Sequence, residues 1–151
     1  PQHCQEFTAH MVDYMNRAID FAQKVHQAYQ EYDWLYTGHS LGAMLAEEVA
    51  LIRGKLSLNF AAPAMQSVLR SRTNFDIPAI PTWQVVSLYH QWDPLHRGAI
   101  GQSVGARCLW MRKETSHCKA CYSAKRPPSE PSNDCHACFL ETHMWKHYIH
   151  F

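Results

Sequence analysis

Apolar residues recur at three- and four-residue steps from Phe7 through Met11, Met15, Ala18, Ala22 and Val25 to Tyr29. Asp13, Asn16, Arg17, Asp20, Gln23, Lys24 and Gln27 fill the positions between them. That period draws one apolar stripe along a helix, so an amphipathic helix is expected from Glu6 to about Tyr32 with its stripe in a core. The pattern shortens after Asp33. Trp34 to Thr37 reads as a strand, and Leu41 to Arg53 as a second helix whose apolar face is Met44, Leu45, Val49 and Ile52. Arg53 suits the negative end of that helix, and Gly54 suits the left-handed residue that follows it.

Lys55 to Phe60 is the next expected strand, closed by Ala61-Ala62-Pro63, because proline removes a donor and restricts the residue before it. Met65 to Arg70 reads as a short helix, Ser71 to Pro81 as a loop, and Thr82 to Tyr89 as a third strand. Gly98 to Gly105 is a glycine-rich connection, and Arg107 to Met111 an edge strand. Strand, helix, strand, crossover, strand is the pattern of an α/β domain with a mostly parallel sheet and flanking helices.

Composition narrows the class. The chain has 151 residues, with 46% hydrophobic and 18% charged, which is a globular composition with enough length for one core. The formal net charge is +1, and no basic patch or arm points to nucleic acid. Eleven histidines make the net charge rise steeply below about pH 6.5. No apolar run reaches the roughly 18 residues of a membrane span. The chain opens at Pro1 with neither an initiator methionine nor a signal peptide, so a processed or excised segment is expected.

The turn between the first strand and the second helix carries Gly38-His39-Ser40-Leu41-Gly42, a G-x-S-x-G match in a strand–turn–helix context. Such an elbow exposes a serine hydroxyl above the sheet. Its glycines are expected to relieve crowding, at Gly38 and Gly42 alike. A serine needs a base, and the base needs an orienting acid. The plain alternative is a glycine-rich turn capped by serine, with His39 a filler. Leu41, at the helix N-terminus, offers a backbone N–H to a developing oxyanion. Asp93, after the third strand, is the candidate acid; capping the turn before Pro94 is its bland role, and Asp76 is the rival residue.

Cys118-x2-Cys121 and Cys135-x2-Cys138 have the spacing of paired knuckles. Cys118, Cys121, Cys135 and Cys138 would close a tetrahedral structural Zn²⁺ site on a short hairpin. Two disulfides are the alternative, with Cys4 and Cys108 also free to pair. His117 and His136 are spare ligands. No cofactor is expected for catalysis.

With these residues in view, the chain resembles the class 3 lipases, α/β-hydrolase-fold esterases that include fungal triacylglycerol lipases and an autophagic vacuolar phospholipase. The resemblance rests on Tyr36-Thr-Gly-His-Ser-Leu-Gly-Ala-Met-Leu-Ala46, Asn59-Phe-Ala-Ala-Pro63, Gln91-Trp-Asp-Pro-Leu95, and Thr142-His143 followed by Tyr148-Ile149. It covers about residues 6–112 and 140–151. It implies an α/β-hydrolase-like fold and a Ser40, Asp93, His143 triad in the order of that superfamily. It also implies a carboxylic ester hydrolase acting on lipid esters, triacylglycerol or phospholipid, through an acyl-serine, with transient contact with a lipid surface.

Among the late histidines His136, His143, His147 and His150, the resemblance prefers His143 as base, with Thr142 before it and Tyr148 five residues after; the bland alternative is that His143, His147 and His150 form one helical face. Two departures stand out. The family's N-terminal half, with its early strands, second oxyanion donor and lid, has no counterpart here, so a further segment or chain is expected to complete the site. The Cys-rich stretch, residues 108–138, is an insert within a single partial domain spanning 1–151. The competing reading is a non-catalytic, zinc-stabilised interaction module on a decayed lipase scaffold.

Overall fold

The computed structural model describes residues 2–64, 66, 80–93, 104–111, 115–123 and 133–144, with side chains from residue 13 onward. Most of the expected short helix at 65–70, most of the 71–81 loop with Asp76, most of the glycine-rich connection, and His147 and His150 lie outside them.

Helix α1 spans Gln2–Ala28. Strand β1 is Leu35–His39, α2 is Leu41–Arg53, and β2 is Leu56–Phe60. Strand β3 is Val85–His90 and β4 is Ala106–Trp110. Two further helices follow, α3 at Ser116–Ser123 and α4 at Asn133–His143. The four strands form one sheet in the order β1-β2-β3-β4, and every pairing is parallel. This is an α/β arrangement, and sequential parallel order brings all four C-terminal ends to one edge. Among the described residues, no helix is long and apolar enough to cross a membrane.

The core sits where α1 and α2 cover the sheet. Met15, Met44, Leu51, Val85 and Val104 form its main cluster, with Leu45 and Ile80 packed against it. The α1 stripe is only partly used. Met15 and Ala22 are buried and Ala18 and Val25 half-buried, whereas Tyr29 lies past the helix end and is exposed. On α2, Met44 and Val49 are buried as the periodicity requires, but Ile52 is exposed and Leu51 takes its place inward. Eight α2 residues are buried because the helix lies between α1 and the sheet, so its covered arc is wider than one stripe.

Two of those eight are acids, Glu47 and Glu48, which the apolar pattern did not flag. Glu47 faces a polar patch of the sheet. Ser87 Oγ donates to Glu47 Oε1 at 2.8 Å, and Asn59 Nδ2 lies 3.5 Å from the same oxygen and donates to Ser57 Oγ at 2.7 Å. Burial penalises the carboxylate more than these hydrogen bonds favour it, and the Glu47 carboxyl is pushed up to about 8. It is therefore protonated in the folded protein at neutral pH and ionised in the unfolded chain.

A raised folded-state value stabilises the protein fully below the ordinary 4.5 and loses that contribution as pH climbs towards about 8. Glu47→Gln keeps the acceptor and removes the titration. Denaturant unfolding at a series of pH values should therefore find the variant gaining on the parent steadily from pH 5 to about pH 8. A pH-independent difference between the two would show that Glu47 is not the titrating group.

Candidate catalytic site

The β1–α2 junction turns within one residue. Ser40 has φ 55° and ψ −123°, a backbone conformation that costs an L-residue about 1–3 kcal/mol. The ladder continues through the bend, because the Ser40 N–H donates to the Phe60 carbonyl at 3.0 Å. A Cβ on Gly38 would sit 2.3 Å from the Gly42 carbonyl carbon and oxygen, so the close approach needs glycine there. Gly42 differs from the sequence expectation: a Cβ built on it meets nothing within 4 Å, since its open side faces solvent.

Ser40 is also the N-cap of α2, yet its side chain makes no capping hydrogen bond. The hydroxyl points instead to His143, with His143 Nε2 at 2.8 Å from Ser40 Oγ. On the other side of the ring, His143 Nδ1 lies 2.8 Å from Asp93 Oδ2. A carboxylate accepts only, so Nδ1 carries the proton and Nε2 faces the hydroxyl as acceptor. Asp93 is 0% and His143 2% exposed, which keeps the pair away from competing water. Leu41 opens α2, and its N–H is one of the first four donors that a helix leaves without an intrahelical partner.

Each side chain is placed by a different element. Ser40 follows β1. Asp93 follows β3 in a turn that starts at its end, where the Asp93 N–H donates to the His90 carbonyl at 2.9 Å and the Trp92 N–H to His90 Nδ1 at 3.2 Å. His143 is the last residue of α4. Its ring stacks on Phe139, with centroids 4.4 Å apart and planes 21° from parallel. The structure thus brings Ser40, Asp93 and His143 into one hydrogen-bonded chain from sequence positions about a third of the molecule apart.

Helix α4 arrives as half of a helical hairpin. Cys118 pairs with Cys138, and Cys121 with Cys135, in two disulfides between α3 and α4. The C-x-x-C pairs lie on helices rather than in knuckle turns. In a helix the i, i+3 spacing puts both sulfurs on one face, so one spacing serves either geometry. The arrangement observed is the disulfide alternative to the four-cysteine zinc site. His117 Nδ1 faces Glu141 Oε1 at 2.7 Å, and His136 is exposed, so neither joins the sulfurs. Cys108 is an exposed free thiol in β4, within the sheet. Cys4 belongs to the part of α1 whose side chains are outside the description.

The hairpin docks on the loop that carries the acid. Tyr122 Oη donates to the Trp92 carbonyl at 2.8 Å, and Thr142 Oγ1, which donates to the Cys138 carbonyl at 2.7 Å, lies 3.5 Å from that same Trp92 oxygen. Sequence reasoning missed Tyr122, Thr142 and Phe139 as parts of this support. No spacing rule links them to Asp93; only the docked hairpin does. A separate apolar cavity of about 310 Å³ lies between α1, β1 and α2, lined by Phe21, Val25, His26, Trp34, Tyr36 and Val49 among others, and it does not reach Ser40.

The fold and the site together define an α/β protein with a Ser–His–Asp constellation at the C-terminal edge of a parallel sheet. Comparison with protein-family models, with curated proteins and with solved structures finds no match to this chain.

The Cys121–Cys135 bridge closes a sequence separation of 14, for which loop closure is worth about 3 kcal/mol. The double variant Cys121→Ser/Cys135→Ser should lose about that much in denaturant unfolding. Intact mass without reductant should show both bridges and no bound metal. One zinc per chain by elemental analysis, with four free thiols, would overturn the disulfide arrangement.

Proposed function

We propose that this chain is a serine esterase that hydrolyses the carboxylic ester bonds of lipids, on an α/β-hydrolase-like fold of class 3 lipase type. The observation that carries the reading is the unbroken hydrogen-bonded chain Ser40–His143–Asp93, with both links at 2.8 Å. That geometry is the one in which an imidazole takes a serine proton and a carboxylate holds the resulting cation. The strained elbow supports it, since the backbone cost at Ser40 aims the hydroxyl away from its own helix and towards the base.

In this reading Ser40 Oγ attacks the ester carbonyl while its proton passes to His143 Nε2. The Leu41 N–H stabilises the oxyanion, and His143 returns the proton to the departing alcohol. Water, deprotonated by the same imidazole, then releases the acid from acyl-Ser40. The preference for lipid esters, triacylglycerol or phospholipid, and the transient contact with a lipid surface rest on the resemblance of the Tyr36–Ala46, Asn59–Pro63 and Gln91–Leu95 segments to the lipase family.

A fluorophosphonate probe reports an activated serine independently of the natural ester. It should label the protein at Ser40 and leave Ser40→Ala unlabelled. His143→Ala should lower labelling and ester turnover by several orders of magnitude, as loss of a triad member does, with the fold intact by circular dichroism. His147→Ala and His150→Ala should retain most of both. An unlabelled parent protein, or a dead His147→Ala or His150→Ala beside an active His143→Ala, would refute the assignment.

A further inference from the structure

His39 directly precedes the candidate nucleophile and takes no part in the Ser40–His143–Asp93 chain. Its ring reaches across to α4. His39 Nε2 lies 2.5 Å from the backbone carbonyl oxygen of His143, across 104 residues of sequence, and the two rings sit 4.9 Å apart at 47°. A carbonyl only accepts, so Nε2 carries the hydrogen and donates it. The acceptor has a reason to need that donor. His143 ends α4, and the last four carbonyls of a helix have no partner within it.

Three other side-chain contacts of the α3–α4 hairpin lie on the acid's side. Asp93 holds the ring by Nδ1, and Tyr122 and Thr142 gather at the Trp92 carbonyl beside it. These contacts fix the base relative to the loop after β3. They do not fix it relative to the elbow after β1, where the hydroxyl is. The His39 bond does so through the residue bonded to Ser40 itself.

We infer that His39 is a positioning residue, which sets the distance between the base and the nucleophile by tying the His143 backbone to the elbow. This inference rests on the esterase reading. Proton transfer from Ser40 needs Nε2 held within hydrogen-bond reach, and misplacement by about 1 Å can cost about a hundredfold in rate. Substrate binding has no such dependence on the His143 backbone, so the loss should fall on kcat and spare KM.

The test uses the full chain and two replacements. His39→Leu removes the donor and keeps an apolar side chain. His39→Gln places an amide N–H near the former Nε2. His39→Leu should lower kcat and the fluorophosphonate labelling rate by at least about tenfold with KM within about twofold, and His39→Gln should recover most of the loss. If His39→Leu does not fold, His39→Asn takes its place, because its amide stops short of the carbonyl, and the same loss is expected.

Proton NMR supplies a readout that needs no turnover. The low-field resonance of the His143 Nδ1 proton shared with Asp93 should broaden or vanish in His39→Leu and return in His39→Gln. Full kcat in His39→Leu would overturn the inference. So would a loss confined to KM, a His39→Gln protein as impaired as His39→Leu while folded, or an unchanged Nδ1 resonance. A parent protein that the probe does not label refutes the esterase reading, and the NMR comparison still decides the positioning role.

Discussion

A carboxyl and an imidazole buried together must answer each other's hydrogen bonds, and the Asp93–His143 contact is where this structure meets that requirement. Asp93 has no exposure to water and His143 almost none, so each needs polar partners in place, and each is one of the other's. The pair joins the end of β3 to the end of α4. It fixes the imidazole's tautomer, and the tautomer leaves Nε2 facing Ser40 as an acceptor. The turn after β3 and the helical hairpin supply its two partners, and the elbow presents Ser40 to the ring's other nitrogen.

Parallel topology explains why the partners meet at one edge. In the sequential order β1-β2-β3-β4, every strand runs the same way, so the turns after β1 and β3 open at the same edge. Ser40 and Ala61, the non-glycine residues with positive φ among those described, both stand at C-terminal strand ends there, after β1 and β2. Among the described residues, positive φ at the opposite ends, before β2 and β4, falls on Gly54 and Gly105, where it costs no side-chain strain.

The hairpin solves a different problem. Helix α3 has eight residues and α4 eleven, too few to be stable alone in water. Two cross-links, a Thr115 cap that accepts from the Cys118 N–H at 3.2 Å, and the Thr115 and His117 contacts to Glu141 hold them as a unit. A rigid unit can carry an imidazole to a site that it does not otherwise belong to.

Local pattern was enough to place β1, α2 and β2 to within a residue or two at each end, and Leu41–Arg53 with its αL Gly54 agrees with the reading at both ends of the helix. These elements are fixed by near neighbours: a glycine elbow, a 3.6-residue period, a left-handed terminator. The same local logic named Ser40, and the resemblance ordered Asp93 and His143 behind it. Other features depended on contacts that no window of sequence contains. The third strand begins at Val85 rather than Thr82, because Thr82–Gln84 form a turn whose carbonyls pair with other elements. The cysteines pair across two helices, a choice their spacing left open. Glu47 lies under the sheet against Ser87 and Asn59, and His39 reaches the carbonyl of His143, because α2 and α4 pack where they do. Chain spacing encodes what a residue can do with its neighbours; only packing brings residues 39 and 143 together, since the hydrogen bond between them exists only once the sheet and the hairpin have docked.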